Sequence, residues 1–145
     1  MKFLILNGPN LNLLGLREPE IYGKQDYNAL CRSIETWCAE AGVECSILQT
    51  NHEGVLVDAI QDAYFQRIDG IILNPAAYTH TSIAILDALK AVQIPAVEVH
   101  LTDIQQREDF RHISYPGLAC IKTYKGLGFE GYHQAILYLK EYLQA

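Results

Sequence analysis

Two pairs of side chains in this sequence have residue types and spacings that suit acid–base chemistry. In the first pair, Glu98 and His100 are two residues apart in an apolar stretch. Side chains two apart on a β-strand project from the same face, and a carboxylate beside an imidazole stabilises the protonated imidazolium. A protonated imidazole can give its proton to a leaving group. We therefore expect His100, supported by Glu98, to act as a general acid.

The second pair, Arg17 and Tyr22, flanks Pro19 and combines a cation with a phenol. A phenol has a pKa near ~10, so bringing it close to neutrality takes about 3 to 4 kcal/mol. One guanidinium at ~4 Å supplies about 4 kcal/mol at an effective dielectric near ~20, before any desolvation cost. Arg17 could thus make Tyr22 a general base. The alternative that Tyr22, one of nine tyrosines, merely packs has equal weight on spacing alone.

The Arg17–Tyr22 pair lies in a long connection, Gly8 to Gln25, that follows an apolar stretch predicted as the first strand. Compact domains rarely keep so long a connection without regular structure unless it acts as a lid or binding loop. We expect an active-site lid at about residues 16–25.

Composition limits the class of protein to which this loop can belong. The 145 residues are half apolar, 19% charged and carry a formal charge of -6, which predicts one globular domain over residues 1–145 and no nucleic-acid surface. Apolar runs stop at about six residues, too short to span a membrane. The four cysteines lack metal-binding or disulfide spacing. We expect a cytoplasmic protein with free thiols and no metal site.

Short apolar runs alternate with helical patterns along the chain. Strands are predicted at Lys2–Asn7, Val43–Gln49, Gly70–Asn74, Ala96–His100 and Ala119–Thr123. Helices are predicted at Tyr27–Ala41 after an Asp26 cap, from a capping box at Thr50–Glu53 to about Arg67, at about Ser82–Ala91 and at about Gly131–Leu143. The segment Asp103–Tyr115 is expected to form one helical turn and then irregular chain.

This alternation predicts an α/β fold with a parallel sheet covered by helices on both faces. Five strands fit the flavodoxin-like doubly wound arrangement, with strand order 2-1-3-4-5. In such sheets ligands bind outside the carboxyl ends of the strands. We therefore expect the functional residues to meet at that edge.

Polar residues do follow the predicted strand ends. Asn12 lies beyond the first strand, Asn74 ends the third and His80 follows it, where an imidazole can donate to a ligand oxygen. The backbone N–H groups of Leu101 and Thr102 can hold a carboxylate where the fourth strand ends, and Arg111 offers further anion recognition or a surface role. A small polyhydroxylated acid would suit this set of groups.

The sequence closely resembles the type II 3-dehydroquinate dehydratases over nearly its whole length. Each matching motif alone is moderately specific for this family, and the motifs together, in this order and spacing, are strongly specific for it. The matching stretches are Leu6–Gly15, Arg17–Gly23, Gln49–Gly54, Asn74–Ser82, Val97–Leu101, Arg107–Arg111 and Gly126–Tyr132.

The resemblance implies that the enzyme converts 3-dehydroquinate to 3-dehydroshikimate and water by anti elimination through an enolate, without metal or cofactor, in the shikimate pathway of aromatic amino acid and chorismate biosynthesis. Tyr22 would remove the proton, Arg17 would favour the tyrosinate, a water held by Asn12 would stabilise the enolate, and His100 with Glu98 would protonate the departing hydroxyl.

The same resemblance implies roles in substrate binding. Asn74, His80 and Arg111 would hold hydroxyl groups, and Leu101 with Thr102 would hold the carboxylate. It also implies a homododecamer, a tetramer of trimers, in which Asp87 reaches a neighbouring subunit's site. One departure is Thr102-Asp103, where the family more often has Ser-Asn. The change keeps the hydroxyl but could alter substrate affinity.

Two alternatives remain open on the sequence. A flavodoxin-type binding module, such as a flavin carrier or phospho-receiver, would need a phosphate-binding loop after the first strand or an acid at the end of the third. The sequence has an apolar Asn-Leu-Asn-Leu-Leu loop and Asn74 at these places. A Schiff-base dehydratase would need a desolvated lysine near the strand ends, where Lys24 is the nearest.

Overall fold

A computed structural model describes residues 1–16, 20 and 25–145. Its five strands form one parallel sheet in the order 2-1-3-4-5, which confirms the predicted fold. The strands are β1 (Lys2–Asn7), β2 (Glu44–Gln49), β3 (Gly70–Asn74), β4 (Ala96–His100) and β5 (Lys122–Lys125). The helices are α1 (Tyr27–Ala41), α2 (Glu53–Phe65), α3 (Ile83–Val92) and α4 (Glu130–Gln144).

The limits of α1 follow directly from its end residues. The Asp26 side chain accepts a hydrogen bond from the Ala29 N–H at 2.8 Å, as an N-cap does. Gly42 ends the helix with a φ of 72°, a left-handed conformation that favours glycine. Both sequence signals are confirmed. None of the helices in the described ranges is long and apolar enough to cross a membrane.

Alternating side chains of the strands form a separate apolar core on each face of the sheet. Phe3 and Ile5 of β1 point to the face covered by α1 and α4, where they pack with residues such as Tyr132. Leu4 and Leu6 point to the opposite face, covered by α2 and α3. Helices on both faces leave the strand ends as the exposed edge of the sheet, in agreement with the doubly wound prediction.

Two local predictions are wrong. The last strand begins at Lys122 instead of Ala119, because residues Pro116–Ala119 form a 3-10 helix whose first residue is the proline. Thr50 does not cap α2: its hydroxyl accepts from the His52 N–H at 3.1 Å in a local turn, and His52 is the N-cap without a side-chain cap bond. The Thr50–Glu53 spacing therefore marks a turn that leads into the helix.

The segment predicted as one helical turn followed by irregular chain contains two short 3-10 helices, Ile104–Gln106 and Asp109–Arg111. Asp103 caps the first, accepting from the Gln105 N–H at 2.9 Å. Both helices lie after β4, so the segment stays at the carboxyl edge of the sheet.

A close approach of backbones joins the ends of β1 and β3. The Gly8 N–H donates to the Asn74 carbonyl at 2.8 Å, and a Cβ at position 8 would lie 2.4 Å from the Pro75 carbonyl oxygen. Only glycine therefore fits at this point. The contact draws the start of the long connection towards the residues that follow β3.

A buried hydrogen-bond network lies directly beneath these strand ends. The Tyr132 hydroxyl donates to Asn7 Oδ1 at 2.6 Å and accepts from Asn74 Nδ2 at 3.0 Å. Asn7 Nδ2 in turn donates to the Tyr27 hydroxyl at 3.3 Å. Burial raises the pKa of Tyr132 far above its ordinary value, so the phenol stays neutral and keeps its proton for Asn7. One hydroxyl from α4 thus fixes the last side chains of β1 and β3.

Replacing Tyr132 by phenylalanine is expected to lower the free energy of unfolding by about 1 to 3 kcal/mol, because both asparagine side chains lose a partner inside the core. Urea denaturation followed by circular dichroism measures the change. Tyr142→Phe is the control, since Tyr142 lies on the same helix but is half-exposed. Equal stability of the two variants would show that the network contributes nothing.

Candidate active site

Glu98 and His100 lie together at the end of β4, as the sequence predicts. The distance from His100 Nε2 to Glu98 Oε2 is 3.2 Å, and the two residues are 5% and 1% exposed. The Nε2–H is not well aligned with the oxygen, so the contact is an ion pair more than a directed hydrogen bond. With Nε2 facing the carboxylate, Nδ1 is the ring nitrogen left for a ligand.

Two hydroxyl groups hold the Glu98 carboxylate in addition to His100. The Ser114 hydroxyl donates to Oε2, and the Thr123 hydroxyl donates to Oε1 at 3.0 Å. Burial alone would raise the pKa of Glu98, but the close contact with His100 and the two hydroxyl donors outweigh it and hold the pKa below its ordinary value. Glu98 is therefore ionised at neutral pH and places its negative charge beside the imidazole.

His80 presents a second imidazole with a different protonation state. Its Nδ1 lies 2.8 Å from the Ile113 carbonyl oxygen, which can only accept, so Nδ1 carries a proton. Burial lowers the pKa of His80; the Ile113 carbonyl opposes this, and the charges of Arg111 and His100 add to it. A neutral His80 leaves Nε2 as an acceptor for a ligand hydroxyl, where the sequence suggested a donor.

Asn74 ends β3 with its side chain held at both atoms. Nδ2 donates to Tyr132, while Oδ1 accepts from the Ala76 N–H at 3.2 Å. Ala76 has a φ of 53°, a left-handed conformation that costs a non-glycine residue about 1 to 3 kcal/mol. The contacts around Ala76 maintain this strained conformation next to the Asn74 side chain, which is 3% exposed.

Asn74, His80 and His100 line one cleft at the carboxyl edge of the sheet, with a volume of about 210 Å³. That is smaller than the ~300 to 1,000 Å³ of pockets for drug-sized ligands, so the cleft suits a small metabolite. It brings together most of the predicted site residues: Asn74, His80, His100, Leu101, Thr102 and Arg111. Arg111 also forms an ion pair with Glu108, and its planar guanidinium retains further donors for an anion.

Three of the predicted site residues that the structure describes, Asn12, Asp87 and Glu98, do not line the cleft. Asn12 is exposed in the 3-10 helix Leu11–Leu13, and the adjacent Asn10 and Leu11 line the cleft instead. Asp87 is exposed on α3 and does not line it. Arg17 and Tyr22, with most of the proposed lid, lie outside the described residues.

Sequence reasoning missed three residues at this site. Ser114 contacts Glu98 from an irregular segment, and Thr123 contacts it from the last strand, where no motif singles out its hydroxyl. Arg107 lines the cleft, and its place in the Arg107–Arg111 motif was a usable signal. Within the described residues, no group of three or more His, Cys, Asp or Glu side chains is arranged to hold a metal ion.

Comparison with known sequences identifies the family of this chain. Residues 1–140 match the family model described as dehydroquinase class II. A 3-dehydroquinate dehydratase of Clostridium perfringens (strain 13 / Type A) is 51% identical over 145 residues, which cover 100% of this chain and 99% of the relative. Another, of Caldicellulosiruptor bescii, is 50% identical over 98% of each chain.

Solved structures give the same result. A type II dehydroquinase from Butyrivibrio crossotus superimposes with a TM-score of 0.95 at 48% identity, over 97% of each chain. A 3-dehydroquinate dehydratase-like protein from Bifidobacterium longum superimposes with a TM-score of 0.75 at 26% identity, over 100% of this chain and 99% of that one. By fold, site and full-length similarity, this chain belongs to the class II dehydroquinase family.

Proposed function

We propose that this chain is a hydro-lyase that converts 3-dehydroquinate to 3-dehydroshikimate and water, the dehydration that belongs to the shikimate pathway. The observation that carries the proposal is the buried Glu98–His100 pair, which opens into a small cleft with Asn74 and Arg111. The full-length match to dehydroquinases supports the choice of substrate.

The elimination begins with removal of a proton next to the ketone. Tyr22, ionised with the help of Arg17, is the proposed base, and the carbon–hydrogen electron pair moves into an enolate. Asn12 would hold a water that donates to the enolate oxygen. The support for these roles is the Arg17–Tyr22 spacing and the position of Asn12 beside the cleft-lining Leu11.

His100 would complete the reaction as the general acid. Collapse of the enolate breaks the carbon–oxygen bond, and the imidazolium protonates the departing hydroxyl to give water. With Nε2 beside Glu98 at 3.2 Å, Nδ1 is the atom proposed to deliver the proton. Base and acid on opposite faces of the substrate would give the anti geometry of the elimination.

Side chains and backbone groups that line the cleft are proposed to orient the substrate. Neutral His80 would accept a hydrogen bond from a substrate hydroxyl through Nε2, and Asn74 and Arg111 would hold the other hydroxyls. The backbone N–H groups of Leu101 and Thr102, just after β4, would bind the carboxylate. The positive charge of Arg111 favours an acidic substrate in an otherwise acidic protein.

The assembly is proposed to be a dodecamer built from trimers. Asp87 is exposed on α3, away from the cleft of its own chain, so a neighbouring chain's cleft is its proposed target. Large apolar side chains are exposed on the same helix and on the chain that follows β4, among them Ile83, Ile113 and Leu118, and such surfaces commonly mark interfaces. All four cysteines are free thiols, which supports a reducing, cytoplasmic location.

A direct assay tests the proposed reaction and excludes its Schiff-base rival. The purified protein should convert 3-dehydroquinate to a conjugated enone, followed by ultraviolet absorbance, and borohydride added with substrate should leave the rate unchanged. None of the lysines in the described ranges lines the cleft, and Lys24 lies outside them. Inactivation by borohydride would favour an imine mechanism, and absence of turnover would favour the binding-module alternative.

The tyrosinate hypothesis makes a separate prediction. Tyr22→Phe should fold normally but lower kcat by about 10²-fold or more, since general-base catalysis contributes about 10²- to 10⁴-fold. Tyr64→Phe is the matched control, because Tyr64 is exposed on α2. Near-normal turnover by Tyr22→Phe would show that this phenol only packs.

A further inference from the structure

Ile113, Ser114 and Tyr115 follow the 3-10 helix Asp109–Arg111. They contact both elements that carry a histidine of the cleft, which are β4 with His100 and the 3-10 helix that ends at His80. The Ile113 carbonyl accepts from His80 Nδ1 at 2.8 Å, and the Ser114 hydroxyl donates to Glu98. The Tyr115 N–H donates to the Thr79 carbonyl at 2.9 Å. This short segment therefore joins β4 to the 3-10 helix Ala76–His80, although neither element is adjacent to it in sequence.

Ser114 binds the carboxylate oxygen that matters most for the acid. Its hydroxyl donates to Oε2 of Glu98, the oxygen that lies 3.2 Å from His100 Nε2. Thr123 binds the other oxygen, Oε1. A carboxylate can rotate about its last bond, so fixing Oε2 also fixes the distance and direction of the negative charge that faces the imidazole.

The Ser114 hydroxyl is itself oriented from the next turn of chain. It accepts from the Gly117 N–H at 3.0 Å, which uses a lone pair and leaves the hydroxyl proton for Glu98. A Cβ at position 117 would lie 2.8 Å from Glu98 Oε1 and 2.8 Å from Ser114 Oγ. Glycine is therefore required here for the segment to close on the carboxylate.

We propose that Ile113–Gly117 is a positioning clamp that aligns the two imidazoles of the cleft, with Ser114 as the positioning residue for the Glu98–His100 pair. The clamp does not touch the substrate: it acts on His100 through Glu98 and on His80 through the Ile113 carbonyl. Its kinetic consequences rest on the proposed dehydratase function. Its structural consequence, the position of the Glu98 carboxylate, does not.

The test compares Ser114→Ala, Ser114→Thr and Gly117→Ala in the full chain. Ser114→Ala should lower kcat about tenfold, in line with loss of a hydrogen bond to a charged group, and leave KM within about twofold. Ser114→Thr keeps the hydroxyl and should restore most of kcat. Gly117→Ala keeps every hydrogen-bonding group but displaces the carboxylate, so it should lower kcat at least as much.

Ile34→Val controls for a merely structural loss, because it removes a methylene group from the buried face of α1 and should leave kcat unchanged. Crystal structures of Ser114→Ala and the parent, both without ligand, provide the second measurement. The clamp predicts that Oε2 of Glu98 moves away from its 3.2 Å contact with His100 in the variant.

A kcat for Ser114→Ala within about twofold of the parent would overturn the clamp, while activity of the parent would still uphold the dehydratase proposal. A rise in KM with unchanged kcat would also overturn it, since it would assign Ser114 to substrate binding. If the parent does not turn over 3-dehydroquinate, the dehydratase proposal fails, and the crystal structures alone decide: an unmoved carboxylate overturns the clamp, and a displaced one supports it.

Discussion

The ion pair between Glu98 and His100 is the interaction on which the rest of the site depends. Glu98 is 1% exposed, and an ionised carboxylate so deeply buried is strongly unfavourable unless it is paired and hydrogen-bonded. The protein offsets this cost with an imidazole from the same strand and with hydroxyls from β5 and from the segment before it. The result is a fixed negative charge beside the His100 imidazole, which lines the cleft.

The parallel sheet determines which residues meet at the cleft. Parallel strands bring their carboxyl ends to one edge, so Asn74 of β3 and His100 of the paired β4 meet in the cleft although they are far apart in sequence. Tyr132 of α4 holds Asn74 from below, and the left-handed Ala76 turns the chain so that His80 faces the cleft. The proposed acid is thus built into the sheet, whereas the proposed base, Tyr22, belongs to the connection after β1.

The apolar periodicity and the order of elements along the sequence predicted the sheet and its strand order. The Glu98–His100 pair was also predictable, because side chains two residues apart on a strand project from the same face. They could not predict Ser114, whose contact with Glu98 depends on how an irregular segment folds back over β4. The same segment explains the wrong start of β5: Ala119 is apolar, but Pro116 begins a 3-10 helix that ends there. Thr50 had capping-box spacing, yet its hydroxyl bonded locally instead.

In the proposed mechanism, the charge of Glu98 makes His100 an effective acid. The most direct measurement of this role is the kcat and KM of Glu98→Gln, which keeps the shape of the side chain and removes its charge. We expect a fall in kcat of at least about tenfold with KM within about threefold, while Glu141→Gln, an exposed change on α4, should alter neither. A folded Glu98→Gln enzyme with the kcat of the parent would show that His100 does not need the charge of Glu98.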